Sequence, residues 1–398
     1  MRNKKVLYIS ASIGLGHVNK DLAIANELRK QNPGAEVKWL AANPARDALE
    51  KKGQRLLPDA KRFGCCTLSA ESASAGSRLN LFKYFLSVQK AWIQNVMVIK
   101  QVLKRDRSDI VIADEAYELM IALIFRLARI EVPFVIIYDF LGLDSMTSNP
   151  LEKIGIYFLN LIWSQDYRVL SRSKRIGLFI GEEEDVPDNR FGFLLPNRRE
   201  YAMRHYKFLG YIILFNPNEY ADQARLRPQL GYGEEPIVIC SVGGTTIGRK
   251  LLELCSQAYS LVKEKIPDLR MVLVCGPRLS PEDFEVPVGV DVRGYIPDLY
   301  QHYAACDLAI VQGGHSSTIE LTVLRKPFIF FPIEGHSEQE AVARRVARHK
   351  AGVQMSLSET TSSLLAEQII IYLGKKPNSS PVPTEGAKRA AQLINQIL

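Results

Sequence analysis

A chain of 398 residues, 47% hydrophobic and 24% charged, has ample apolar material for a large core and enough length for two domains rather than one. Its most apolar segment, Ile154 to Trp163, is far short of the ~20 residues that cross a bilayer, so no membrane-spanning helix is expected. The formal net charge of +8 favours anionic partners (nucleotide sugars, phospholipid headgroups or nucleic acid) without choosing among them, and no nucleic-acid-binding module is present.

The N-terminal MRNKKVLYISAS is basic, but its apolar run is too short for a signal peptide and fits a first strand. VLYISA, EVKWLAA, DIVIAD, PFVIIYD and RIGLFIG read as strands of the first half. PIVICSVGG, LRMVLVCG, VDVRGYI, LAIVQGG and KPFIFFPI repeat the theme in the second. These are short apolar runs without alternation, the pattern of parallel strands covered on both faces, and helical stretches follow most of them. The expected fold is α/β, with two doubly wound, Rossmann-like domains facing across a cleft. Composition shifts between Glu182 and Pro217, which places the domains at 1–215 and 216–385. A terminal helix, 386–398, follows a Pro/Ser-rich patch and is expected to pack back on the N-terminal domain.

From Ser72 to Arg105 there is no acidic residue, while Arg78, Lys83, Lys90, Lys100, Lys104 and Arg105 are basic. Apolar positions 81, 85, 88, 92, 96, 99 and 103 follow helical spacing, with Tyr84 and Trp92 adding interfacial character. Such a helix covers the N-terminal sheet with a basic rim or lies on anionic lipid. The stretches 78–105 and 154–175, the latter with Arg168, Arg172, Lys174 and Arg175, are the candidates for a peripheral membrane contact.

Four glycine-containing turns follow strands. They carry Gly14 and Gly16; Gly243, Gly244 and Gly248; Gly276 to Arg278; and Gly313 and Gly314. Glycine lets a ligand approach the backbone, and a helix start offers N–H groups and a positive dipole end to phosphate. None matches the dinucleotide fingerprint or the P-loop, and each alone reads equally as a plain strand-to-helix turn. QGGHSSTIE is the sharpest: its serines and helix-start N–H groups suit a diphosphate, and Glu320 would face a hydroxyl-bearing group such as a ribose. The other reading is a Ser N-cap with a helix-stabilising Glu.

GGHSSTIELTVLRKPFIFFPIEGHSEQEAVARRVARHKAG resembles the donor-site signature of GT-B glycosyltransferases. The branch is that of the UDP-glycosyltransferases and the peptidoglycan N-acetylglucosaminyltransferase (MurG-like). Upstream, RGYIPDLYQHYAACDLAIVQGG and the N-terminal SxGxGH pattern are similar to the same branch. The resemblance implies that Gly243, Gly244 and Thr245 approach the donor diphosphate, and that Tyr295 and Ile296 border the base. Gly314, His315, Ser316 and Ser317 would hold phosphate, Glu320 the ribose, and Glu338 and Gln339 the donor sugar. It also implies that His17 is the general base for an acceptor hydroxyl, with Asp114 as its orienting carboxylate. Gly14, Gly16 and Asp139 would fall on the acceptor side.

The sequence departs from the family pattern at Gln312, where many relatives carry His or Arg. It departs again at Arg325-Lys326-Pro327 in place of GxP, and at Val342 in place of Asn.

The expected activity is that of an inverting, metal-independent glycosyltransferase (a hexosyltransferase). It would use a nucleotide-sugar donor, UDP-linked, and a hydroxyl acceptor that is lipid-linked or a cell-envelope glycan. No cofactor beyond that donor, no metal and no nucleic acid are expected. Alternatives are a nucleotide-sugar hydrolase of the pseudaminic-acid-pathway type, a sugar-nucleotide 2-epimerase, or a non-catalytic nucleotide-sugar-binding subunit. The six cysteines form no CxxC pair and read as buried thiols of a reducing, cytoplasmic compartment, with peripheral contact at the inner membrane face. His205, His302, His336 and His349 read as surface or structural.

Overall fold

The computed structural model describes residues 3–11, 16–75, 78–79, 81–145, 147–244 and 246–398. The chain divides into two units: Met1–Ala73 with Asn80–Leu214 and Pro383–Leu398, and Ser74–Leu79 with Phe215–Val382. The strands are β1 (Lys5–Ile9), β2 (Glu36–Leu40), a small hairpin of β3 (Ser74–Ala75) and β4 (Arg78–Leu79), β5 (Ile110–Asp114), β6 (Phe134–Tyr138), β7 (Arg175–Phe179) and β8 (Tyr206–Phe208). They continue as β9 (Ile237–Ser241), β10 (Arg270–Val274), β11 (Val290–Arg293), β12 (Leu308–Gln312), β13 (Phe328–Phe331) and β14 (Val353–Gln354).

The first unit holds a sheet of order β2-β1-β5-β6-β7-β8, and the second a sheet of order β11-β10-β9-β12-β13-β14. All pairings within both sheets are parallel. The apolar runs become strands because both faces are covered. Leu7, Ile9, Val111, Ala113, Phe134 and Ile136 enter one core layer of the first unit. The intervening Val6, Tyr8, Ile110, Ile112, Val135 and Ile137 enter the other. The second unit repeats this, with Val238, Cys240 and Ile310 on one side and Ile237, Ile239 and Ala309 on the other.

The terminal helix Gly386–Ile397 belongs to the first unit, where Ala387, Ala390, Ala391 and Ile394 share a core layer with Val18, Leu22 and Ala25 of the helix Gly16–Gln31. Its small residues at helical spacing let the two helices approach closely.

In the long helix Leu81–Arg105, the predicted apolar stripe faces the protein. Val88 and Ile99 are buried, and Phe85, Trp92, Val96 and Leu103 are half-buried. A second stripe, Leu86, Ile93 and Met97, faces outward beside Lys90, Lys100 and Lys104. The helix Pro150–Trp163 likewise exposes Leu151, Ile154 and Phe158. Among the described residues no helix is long and apolar enough to cross a membrane. All six cysteines are free thiols, and all but the half-buried Cys65 are buried.

Candidate functional site

Each sheet reverses its strand order once, between β1 and β5 in the first unit and between β9 and β12 in the second. Ligands of open α/β sheets bind outside the carboxyl ends of the strands at such points. The sequence-predicted residues gather at both.

In the first unit, β1 runs into Ser10, and the helix Gly16–Gln31 begins just beyond residues 12–15. Gly14 lies outside the described residues, and Gly16 is the first residue of the helix. His17, the second helical residue, is 8% exposed. Its Nδ1 lies 2.7 Å from Oδ2 of Asp114, the last residue of β5, which is 1% exposed. The pairing of β1 with β5, with Ile9 opposite Ala113, brings these strand ends together across 97 residues of sequence. In the tautomer with the proton on Nδ1, Asp114 accepts that hydrogen bond and Nε2 carries the lone pair.

Three further charged residues that the sequence reading passed over complete this centre. Glu115 Oε2 lies 3.5 Å from His17 Nε2. Lys20, one turn past His17, places Nζ 2.5 Å from Oδ2 of Asp139, with both side chains buried. Burial pulls the Lys20 ammonium down, but Asp139, Asp114 and Glu115 together hold it above the ordinary lysine value. Asp139 is therefore the counter-ion of Lys20. Asp21 accepts from Tyr8 Oη at 2.9 Å and Ser10 Oγ at 2.5 Å. Burial, with the neighbouring Asp114 adding to it, pushes the Asp21 carboxyl well above its ordinary value.

In the second unit, three turns converge. The Gly243 N–H donates to Oε1 of Gln312 at 3.2 Å, tying the turn after β9 to the end of β12. Gly276, at φ +70°, closes the turn after β10; a Cβ there would stand 2.7 Å from the Gly243 carbonyl oxygen. Only glycine permits that approach. Gly244 is buried, and Thr245 lies outside the described residues. Gln312 thus acts as a neutral brace between turns.

The helix His315–Val323 starts at N-cap Gly314, whose extended backbone turns the chain into the helix without a side-chain cap. Ser316 and Ser317 sit in the first turn, so neither is the N-cap, and the first N–H groups of a helix fall outside its internal ladder. His315 is buried, with Nδ1 2.7 Å from Nη1 of the buried Arg345.

Glu320, on the same helix, has its carboxyl pushed up to about 8 by burial, with Asp298 adding to the effect. Burial and Asp298 likewise raise the Tyr295 hydroxyl, and Ile296 packs partly into the core beside it. Gln339 Oε1 accepts the Ile333 N–H at 2.6 Å, so it secures the chain after β13, while Glu338 is half-buried beside it. Among the described residues no three His, Cys, Asp or Glu side chains gather with metal-binding geometry.

Residues 238–397 match the glycosyltransferase family 28 C-terminal domain. A Methanosarcina acetivorans protein named as an uncharacterized glycosyltransferase is 24% identical over 374 residues, covering 91% of this chain and 88% of that one. The UDP-N-acetylglucosamine--N-acetylmuramyl-(pentapeptide) pyrophosphoryl-undecaprenol N-acetylglucosamine transferase of an Anaeromyxobacter species is 36% identical over 81 residues, 20% of this chain and 21% of that protein. Among solved structures, the kitacinnamycin glycosyltransferase aligns over 100% of both chains with TM-score 0.61 at 15% identity. Acinetobacter baumannii MurG aligns over 99% of both with TM-score 0.53 at 19% identity. These two likenesses establish the fold.

Proposed function

We propose that the chain is a glycosyltransferase of the GT-B type that inverts the anomeric carbon in a single displacement, moving a hexosyl group from a UDP-linked donor to a hydroxyl acceptor, a reading supported by the family match of its second half and by the fold. The observation that carries this reading is the His17–Asp114 pair, a buried imidazole whose Nδ1 is held by a carboxylate at 2.7 Å. His17 Nε2 takes the proton of the acceptor hydroxyl as its oxygen attacks C1 of the donor sugar. The C1–O bond to the diphosphate breaks, and its electron pair leaves with the nucleotide.

On the donor side, the turns at Gly243–Gly244 and Gly314 and the N–H groups of His315, Ser316 and Ser317 cradle the diphosphate, and the helix dipole takes up the developing charge in place of a metal ion. Tyr295 and Ile296 border the base, Glu320 accepts from the ribose, and Glu338 lies toward the sugar.

The acceptor is lipid-linked. Outward-facing Leu86, Ile93 and Met97 with Lys90, Lys100 and Lys104 combine apolar and basic groups on one helix face, which suits peripheral contact with anionic lipid. The relative named for an undecaprenol-linked acceptor supports the same reading.

The test incubates the protein with a panel of nucleotide sugars, with and without lipid extract, and follows nucleotide release. Release that needs the extract is the expected result. Equal release without it would mean hydrolysis, and nucleotide binding without turnover would mean a binding subunit.

A further inference from the structure

The helix Gly16–Gln31 meets the first sheet through two polar side-chain pairs rather than one. His17 and Lys20 stand three positions apart, so they share one face of the helix. Asp114 ends β5 and Asp139 follows β6, and these two strands are neighbours, with Asp114 opposite Ile137. The start of the helix therefore lies across two adjacent strand ends. His17 Nδ1 is 2.7 Å from Asp114 Oδ2 at one, and Lys20 Nζ is 2.5 Å from Asp139 Oδ2 at the other. None of the four side chains is more than 11% exposed.

Stability alone does not account for the second pair. Taking both charges out of water offsets most of their attraction, and two apolar side chains of similar volume would hold the helix as well or better. What a charged hydrogen bond adds is direction, because it fixes donor and acceptor at one distance and angle where an apolar contact lets them slide. Burial works against the Lys20 ammonium, yet Asp139, Asp114 and Glu115 together keep it charged, so its charge is felt at the β5 end as well. We propose that Lys20, through Asp139, is a positioning residue for the transfer step. The pair fixes the start of the helix over the ends of β5 and β6, and so holds the His17 ring against Asp114 with Nε2 turned to the acceptor hydroxyl. This rests on the transferase reading with His17 as base and extends it to the residues that aim the base. A misplacement of about 1 Å costs on the order of a hundredfold in rate, so a tether that leaves donor binding alone still governs kcat.

The experiment replaces the pair as a unit. Lys20→Met combined with Asp139→Leu removes both charges and refills the space, so neither charge is left buried alone. Thermal unfolding checks that the double variant folds, and its turnover is measured with the nucleotide-sugar panel and lipid extract. Its kcat is expected to fall roughly ten- to hundredfold, while donor KM and calorimetric affinity for UDP stay as in the wild type. Lys20→Arg, which keeps the cation, is expected to lie between. Imidazole ¹⁵N spectra of histidine-labelled protein, assigned with His17→Ala, read the His17 ring without any turnover. The wild type is expected to show one His17 tautomer, protonated at Nδ1, and the double variant a mixture of the two.

A folded double variant with wild-type kcat overturns the proposal. So does one in which kcat, UDP affinity and thermal stability decline together, or one that does not fold, since either marks the pair as structural. Nucleotide release that does not depend on His17 in the wild type removes the transferase reading instead, an outcome distinct from the others. The ¹⁵N spectra then decide the positioning role by themselves, and an unchanged His17 tautomer in the double variant overturns it.

Discussion

Glu320 offers a measurement that separates a buried ribose-binding carboxyl from a helix-stabilising one. Its carboxyl stands at about 8 in the folded protein against an ordinary 4.5, because burial penalises the ionised form and Asp298 adds repulsion. The folded pKa is raised, so the folded protein binds more protons than the unfolded chain between pH 4.5 and 8. The group's contribution to stability is therefore full below pH 4.5 and is lost as pH rises through 8. At 1.36 kcal/mol per pKa unit, the total is close to 5 kcal/mol as an upper bound. Between pH 6 and 9, the same linkage gives a loss of roughly 2.5 kcal/mol from this one group. Glu320→Gln keeps the shape and cannot ionise, so its second unit is expected to be more stable than the wild type at pH 9, with the gap about halved at pH 6 and closed below pH 4.5. Urea unfolding followed by circular dichroism is the suitable assay. Trp39, Trp92 and Trp163 all lie in the first unit, and their fluorescence would miss the transition. The same substitution is expected to weaken nucleotide binding by removing an ionisable acceptor for the ribose. Parallel pH dependence of the two proteins would show that Glu320 is solvated and refute the reasoning.

Three single substitutions and one double substitution probe the rest of the molecule. His17→Ala is expected to lower kcat by 10²–10⁴, the usual worth of a general base, while calorimetry finds nucleotide affinity unchanged. Lys20→Met leaves the buried Asp139 carboxylate facing a thioether, and a loss of about 3–5 kcal/mol in urea titrations of the first unit is expected. Arg325→Gly is expected to stabilise the second unit by about 0.5–1 kcal/mol in calorimetric scans. Arg325 is exposed at φ +52° after the helix His315–Val323, where its N–H and that of Lys326 close back on Thr322 O and Leu321 O. Ile93→Glu with Met97→Glu is expected to reduce flotation with anionic liposomes and to leave turnover of a soluble acceptor intact. Flotation equal to the wild type would remove that face from the lipid contact.

What the sequence made legible, and what it did not, follows from the range of the interactions. The ten runs read as strands are strands: the inner ones, covered on both faces, are apolar along almost their whole length, and that leaves a local mark, while the edge strands β2 and β11 alternate apolar and charged residues. The edge strands β8 and β14 left none: YKF follows the helix Arg198–His205 without a break, and VQ is two residues long. The glycine turns were legible for the same local reason, since a close backbone approach such as Gly276 against Gly243 tolerates no side chain.

Of the charged groups, the His17–Asp114 pair was legible, and the partners of the others were not. DEAY shows an acid at the end of β5, but only the backbone at φ +46° turns the second acid toward His17. PFVIIYD shows a strand-end carboxylate, but its occupation by Lys20 depends on two segments 119 residues apart. The helix Leu81–Arg105 makes the same point with apolar groups. Its composition supports two stripes, and only the neighbouring elements decide that the regular one turns inward and Leu86, Ile93 and Met97 turn outward. A motif at the end of a strand thus locates chemistry, because strand order is nearly forced by the apolar runs. The direction in which that chemistry points is set by contacts made at the two places where the sheets reverse, and there Glu115 and Gln312, neither of them assigned a role from sequence, lie within 3.5 Å of His17 and Gly243.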